Sequence, residues 1–344
     1  MELDEGPMTT RSMLPRSVVG CAEELLAGAT ARTALEAADS KSGALIERVT
    51  IGGERFIAKR LSVEDDWTMR ASGDLCGRTL LLWQHGILDR LPPDIDHTVV
   101  AVAHDPSTRV TTLLMRDVGP YLVPEGDAPI ALADHQAFLG SMASMQARFD
   151  GWADDIGLAT VADRYLELSP LMAEGERARG DPGLVPRLVG EGWERLPSLV
   201  PSCGGAVRDL ATDPSVLVEA LSGCGPSTLV HGNWKLGNLG RRRDGRVILL
   251  DWETPGAGAG AIDLAWYLAI NAARLPESKE AAIGTYARAL TERGVATAGW
   301  FDRQVALALL GGFVQFGWEK ALGGTGPELA WWEARALDAL PLLG

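Results

Sequence analysis

Two short apolar runs, residues 44–51 and 54–61, stand on either side of Gly52-Gly53, and a glycine pair supplies the positive φ angles that a two-residue hairpin turn demands. The pattern predicts two antiparallel strands. Residues 69–86, with Leu75, Leu82 and Trp83 among their apolar positions, predict one helix. Residues 98–103 and 110–115 flank the turn-like Asp105-Pro106-Ser107 and read as a further pair of strands. Past Met115 the texture changes, because Pro120, Pro124 and Pro129 punctuate a connector ahead of a long helical pattern over residues 130–149. The remainder reads as helices over about 161–179, 183–195, 207–221, 261–273, 277–293, 301–322 and 328–339, with strands at 228–231 and 246–251. The Gly/Ala run 256–261 reads as a loop.

This order of elements predicts an α+β chain in two lobes. Residues 1–116 form a sheet plus one helix, and residues 117–344 form a helical lobe, with the boundary near Asp117. The 344 residues, 46% hydrophobic and 23% charged, are enough for a core in each lobe. Thirty-two basic against 46 acidic residues leave a net charge of −14, which argues against a nucleic-acid partner and suits a small, cationic substrate. Cys21, Cys76, Cys203 and Cys224 lie far apart with no C-x-x-C pair, so neither zinc nor a disulfide framework is expected. No charged leader followed by an apolar segment opens the chain, and no run reads as the roughly 18 apolar residues of a membrane span. A cytoplasmic protein with no membrane partner is expected.

Candidate chemistry concentrates in His231-Gly232-Asn233-Trp234-Lys235-Leu236-Gly237-Asn238 and in the strand-like Val247-Ile248-Leu249-Leu250-Asp251. Asn238 and Asp251 offer amide and carboxylate oxygens, hard ligands suited to Mg²⁺ shared with nucleotide phosphates. A lone asparagine in a glycine-containing turn is usually a turn former. Here, the interval from Asn233 to Asn238 and the strand leading into Asp251 make a joint coincidence improbable. Lys59 ends Phe56-Ile57-Ala58-Lys59 on the second strand, where an ammonium reaches phosphates from a sheet that roofs the nucleotide. Lys235 lies two residues after Asn233, in reach of charge on a transferred γ-phosphoryl group. His231 reads as a packing residue, and Asp263 first as a helix N-cap.

His231–Asn238, Asp251-Trp252-Glu253 and Asp263-Leu264-Ala265 resemble the H-G-D-x-x-x-x-N, D-W-E and D-L-A patterns of the aminoglycoside phosphotransferase and choline kinase superfamily, small-molecule relatives of the protein kinases. The resemblance spans about residues 40–270. It implies a two-lobed protein-kinase-like fold with a small antiparallel-sheet N-terminal lobe and a mainly helical C-terminal lobe. It further implies ATP or GTP with Mg²⁺ as cofactors, and a small-molecule acceptor hydroxyl, an aminoglycoside or amino sugar ahead of choline or a plain sugar. On this basis Asn238 and Asp251 hold the metal, and Lys59 the phosphates. Ser42 and Gly43 belong to the loop above the phosphates, and Met115 and Asp117 to the hinge beside the base. Asp263 gains a second reading, accepting hydrogen bonds from the catalytic-loop backbone. The acceptor region falls over about residues 163–221 and 277–339, with Glu253 and Glu319 as candidate contacts. Trp318, Trp331 and Trp332 read as core rather than as a ligand platform.

Two departures from the family pattern stand out. The helix after Lys59 carries no glutamate for the expected lysine–glutamate pair; Asp74 is the shorter substitute, and Glu64 lies before the helix. Asn233 occupies the position of the catalytic aspartate, and a carboxamide orients a hydroxyl but does not take its proton at neutral pH. General-base help is worth roughly 10²–10⁴-fold. Three readings stay open: an introduced substitution in an otherwise competent enzyme, a natural pseudokinase that binds nucleotide as a sensor or scaffold, or an enzyme with another base such as Glu253. Transfer of a nucleotidyl group is a further alternative.

Overall fold

The computed structural model describes residues 16–35, 43–180 and 183–344. Its N-terminal part contains α1 (Ala22–Leu25), β1 (Ala29–Ala34), β2 (Leu45–Ile51), β3 (Glu54–Leu61), α2 (Trp67–Ala71), α3 (Arg78–Gln84), β4 (Ile95–Asp96), β5 (Val99–Asp105) and β6 (Val110–Arg116). Gly52 and Gly53, at φ +61° and +84°, turn β2 into β3 in the hairpin that the sequence predicts. The sheet runs β1-β2-β3-β6-β5, every neighbour antiparallel. β1 and α1 carried no clear periodic signal in the sequence.

The single helix expected over residues 69–86 is instead two short ones. Asp66 caps α2 by accepting from the amides of Thr68 and Met69. Gly73 and Gly77, both at positive φ, then break the chain. Asp74 fills that break, accepting from the amides of Gly77 and Arg78 at 2.8 Å each. Beyond α3 the chain dips into the other lobe, where β4 pairs in parallel with a strand far along the sequence.

The C-terminal part contains α4 (Leu132–Arg148), α5 (Val161–Leu166), α6 (Pro170–Arg179), α7 (Leu184–Leu199), α8 (Gly204–Thr212), α9 (Ser215–Ser222), β7 (Ser227–Val230), β8 (Leu239–Arg241), β9 (Val247–Leu249), β10 (Gly256–Ala259), α10 (Ala261–Ile270), α11 (Lys279–Glu292), α12 (Phe301–Leu322) and α13 (Pro327–Ala339). Two expected helices are divided at prolines. Pro170 opens α6 behind its Ser169 cap, and Pro214 separates α8 from α9, because proline fits the start of a helix and not its interior. The expected loop at 256–261 is largely strand: β10 pairs antiparallel with β7, Gly256 opposite Val230. Small side chains hid a ladder that tertiary pairing supplies.

The core gathers around α12, against which Trp193, Tyr165 and Trp332 are all buried. By length and composition α12 is apolar enough to cross a membrane, contrary to the expectation from the sequence, and 78% of its apolar window is buried within this fold. The lobes are tied together by side chains. Arg70 of α2 donates to both carboxylate oxygens of Glu176 on α6, at 2.8 and 2.7 Å. Asp96 accepts from Arg116 at the end of β6 and from Arg242 beyond β8, and Thr79 of α3 donates to the carbonyl of Trp252.

Candidate active site

β7 delivers the chain into the loop that begins at His231. The imidazole is fully buried, with ring centroids 4.4 Å from Trp252 and 6.0 Å from Trp234. Burial pushes its pKa down to about 3, so the ring is neutral and accepts from the Asn233 amide at 3.1 Å. Gly232 sits at φ +83° with the Arg164 guanidinium where a β-carbon would project. Only glycine meets both conditions.

Asp263 is not the N-cap of α10; it is the third residue of that helix, whose cap position is Gly260. Its carboxylate accepts from the amides of His231 at 2.8 Å and Gly232 at 2.7 Å. Burial drives the Asp263 pKa up, against the Arg164 charge and these two hydrogen bonds, which lower it. Arg164 also donates to the carbonyls of Val230 and Thr254, joining both edges of the site. At the far end of α10, Asn271 accepts from the Leu236 amide and donates to the Trp234 carbonyl, both at 2.9 Å. One helix therefore grips the loop at two points.

Within that frame Lys59, Asn233, Asn238 and Asp251 converge. Asp251 follows β9 at φ +69°, unusual for a residue with a side chain. Its Oδ1 lies 2.5 Å from Lys59 Nζ, and its Oδ2 accepts from Asn233 Nδ2 at 2.8 Å. Asn238 Nδ2 donates to the Asn233 carbonyl at 3.1 Å and lies 3.4 Å from Asp251 Oδ2. The Asn238 carboxamide oxygen is thereby left as the acceptor atom. Lys59 also pairs with Glu253. Burial opposes charge on Lys59, but the two carboxylates outweigh it and raise its pKa. Burial likewise opposes the Asp251 carboxylate, which Lys59 and then Lys235 hold well below the usual range. Lys235 is half-buried in the same loop.

Asn238 and Asp251 fit a hard divalent cation. Between them they offer an amide oxygen and a carboxylate, and the two side chains are neighbours, Asn238 Nδ2 standing 3.4 Å from Asp251 Oδ2. Among the described residues no group of three or more histidine, cysteine or acidic side chains could hold a metal ion by itself. A Mg²⁺ bound through few protein oxygens, with phosphates and water completing its shell, matches that donor set.

The other candidate residues have the following surroundings. Ser42 lies outside the described residues. Gly43 packs against the Asp65 carbonyl. Met115 is half-buried in β6, opposite Ile57 of β3. The Asp117 carboxylate pairs with Arg48 at 2.9 Å and Arg55 at 3.7 Å, and its amide donates to the Arg55 carbonyl at 3.3 Å. Asp74 does not pair with Lys59, being consumed in capping α3. Glu253 is 8% exposed and turned onto Lys59, so it does not face open acceptor space. Glu319, on the last turn of α12, pairs with its neighbour Lys320 at 2.8 Å. Lys320 in turn donates to the Ala269 carbonyl at the end of α10. Trp332 is fully buried, while the exposed side of Trp331 carries Lys279 at 4.8 Å.

Arg164, Asn271 and Glu167 carry no local sequence signal. Glu167 is buried near Arg164 and Arg78, and burial pushes its pKa up to about 7. Arg164 and Asn271 act through contacts remote in sequence. Only the H-G step, which needs space beneath Gly232, hinted that a side chain stands there.

Several solved kinase structures are similar to this chain. Choline kinase LicA from Streptococcus pneumoniae is 12% identical, with 93% of this chain and 96% of that chain covered and a TM-score of 0.49. A thermostable mutant of aminoglycoside phosphotransferase APH(4)-Ia, in a ternary complex with ADP and hygromycin B, is 14% identical, with 93% and 96% covered and a TM-score of 0.47. Macrolide 2'-phosphotransferase MphH from Brachybacterium faecium is 16% identical, with 91% and 95% covered and a TM-score of 0.46. No curated protein matches the chain. The sequence profile of the phosphotransferase enzyme family matches residues 82–301, a span that takes in β5 and β6, the His231–Asn238 loop, Asp251 and Asp263, and the chain belongs to that family.

Proposed function

We propose that this protein transfers the γ-phosphoryl group of ATP or GTP to a hydroxyl of a small molecule, with Mg²⁺ as cofactor. The acceptor class favoured is an aminoglycoside or amino sugar, in keeping with the net charge of −14. The observation that carries the reading is the convergence of Lys59, Asn238 and Asp251 at the junction of the lobes. Phosphoryl transfer asks for positioning and charge neutralisation rather than covalent chemistry.

Asn238 and Asp251 would hold Mg²⁺, which supplies neutralisation of phosphate charge when bound. Lys59, from the sheet above, serves the α- and β-phosphates, and Lys235, from the loop below, the γ-phosphoryl group. Asn233 orients the acceptor hydroxyl through its carboxamide. It takes no proton, so turnover is expected to be slow.

Restoring the carboxylate tests this. Asn233→Asp, assayed with ATP and GTP over aminoglycosides, amino sugars and amino alcohols, is expected to gain roughly 10²–10⁴-fold in phosphate transfer to at least one acceptor. No gain for any of them would count against the reading, and products carrying a nucleotidyl group would replace it.

The Asn233–Asp251 hydrogen bond favours a second reading, a nucleotide binder without turnover. The carboxamide donates to Asp251 where a carboxylate would repel it, as a site kept for binding alone would allow. Tight Mg-nucleotide binding with no transfer, before or after Asn233→Asp, would select it.

A further inference from the structure

The helices after β3 leave Lys59 without a partner of their own. Neither α2, Trp-Thr-Met-Arg-Ala, nor α3, Arg-Thr-Leu-Leu-Leu-Trp-Gln, contains an acidic residue. The acids flanking them are accounted for. Glu64 and Asp65 are exposed, Asp66 caps α2, and Asp74 caps α3. Lys59 is nevertheless held between two carboxylates, and both come from the other lobe.

Resting on the phosphotransferase reading, we propose that Glu253 is the positioning residue for Lys59, supplying from the turn after β9 the carboxylate that a helix glutamate would otherwise provide. Asp251 does not fill that role alone, because its oxygens are the ones offered to the metal. Glu253 is the acidic side chain that remains to Lys59; burial, and then Asp251, push its pKa up, and Lys59 opposes that shift. It is 8% exposed, and the turn that carries it is fixed from two sides. Trp252 donates its indole N–H to the Leu249 carbonyl at 2.8 Å, and Thr79 of α3 donates to the Trp252 carbonyl. The pair therefore joins β3 of one lobe to the metal-site turn of the other. Seating of Lys59 depends on how the lobes meet rather than on the placement of a helix. In this arrangement Glu253 faces the lysine, and its contribution to the reaction passes through Lys59.

A double-mutant cycle on nucleotide affinity tests the role, since residues acting through one another lose their effects together. Binding of Mg-ATP and Mg-GTP is measured by calorimetry for the unmodified chain, Glu253→Gln, Lys59→Met and the double variant. Thermal unfolding of each without nucleotide checks the fold. Glu253→Gln is expected to weaken binding roughly tenfold or more. The double variant should bind no worse than Lys59→Met alone, and Glu253→Asp should recover part of the loss. Additive losses, or unchanged affinity in Glu253→Gln, would overturn the positioning role while leaving the phosphotransferase reading intact. If Glu253→Gln fails to fold, Glu253→Asp takes its place in the cycle with the same criterion. Absence of binding by the folded, unmodified chain would remove that reading, and this role with it.

Discussion

Asn233 donates its side-chain amide to Asp251 Oδ2 at 2.8 Å, and the Asn238 amide nitrogen stands 3.4 Å from the same oxygen. Residue 233 is thus part of the packing of the site. An aspartate there would replace a donor by a second anion beside Asp251. The substitution that is expected to restore turnover is also expected to strain the protein when no metal is bound.

Asn233→Asp should lower the stability of the metal-free protein by roughly 1–3 kcal/mol, the cost of an unsatisfied polar contact in a buried site. Mg²⁺ should return most of it by mass action. Thermal unfolding with and without Mg²⁺ measures both, and a melting temperature indifferent to the substitution would contradict the Asn233–Asp251 contact.

Asp263 anchors the loop backbone and faces the buried Arg164 charge. Asp263→Ala removes both acceptors and leaves that charge uncompensated, so a loss of about 3–5 kcal/mol is expected. Asp263→Asn, which keeps one acceptor oxygen, should fall between. Urea unfolding gives the comparison, and a cost confined to surface values would argue that α10 does not hold the loop.

His231 sets an acid limit. In the unfolded chain a histidine takes its proton near pH 6.5, whereas the folded site accepts one only near 3. Between these values the unfolded state binds the extra proton. The contribution is therefore complete above pH 6.5 and is lost as pH falls, by at most about 1.4 kcal/mol per pH unit. Urea titrations from pH 7 to 4 should show a slope that His231→Phe reduces by one proton.

Arg70 and Glu176 join the lobes through two parallel hydrogen bonds with side chains only 18% and 10% exposed. Either single neutralisation should cost roughly 1–3 kcal/mol, and the two together less than their sum. A coupling near zero in a double-mutant cycle would mean that this contact does not hold the lobes together.

The sequence by itself determined the hairpin, because Gly52-Gly53 between apolar runs has few other solutions. Periodicity also placed α4, α10, α11, α12 and α13 to within a few residues. The His231–Asn238 spacing and Asp251 marked the site because ligand chemistry restricts residue types within one short segment. Tertiary structure decided what depends on partners distant along the chain. Ser-Pro at 169–170 and Asp-Pro at 213–214 divided helices whose apolar pattern ran through them. β10 became a strand only because β7 lies beside it. Asp263 proved to be an anchor rather than a cap, since α10 begins three residues earlier than a cap at that position requires. The partners of Lys59, Asp251 and Glu253, lie on the other lobe, 192 and 194 positions away, and a local pattern carries no record of the pairing. Propensity and spacing act over a few residues, whereas ion pairs, buried carboxylates and close backbone approaches exist only once the lobes have packed.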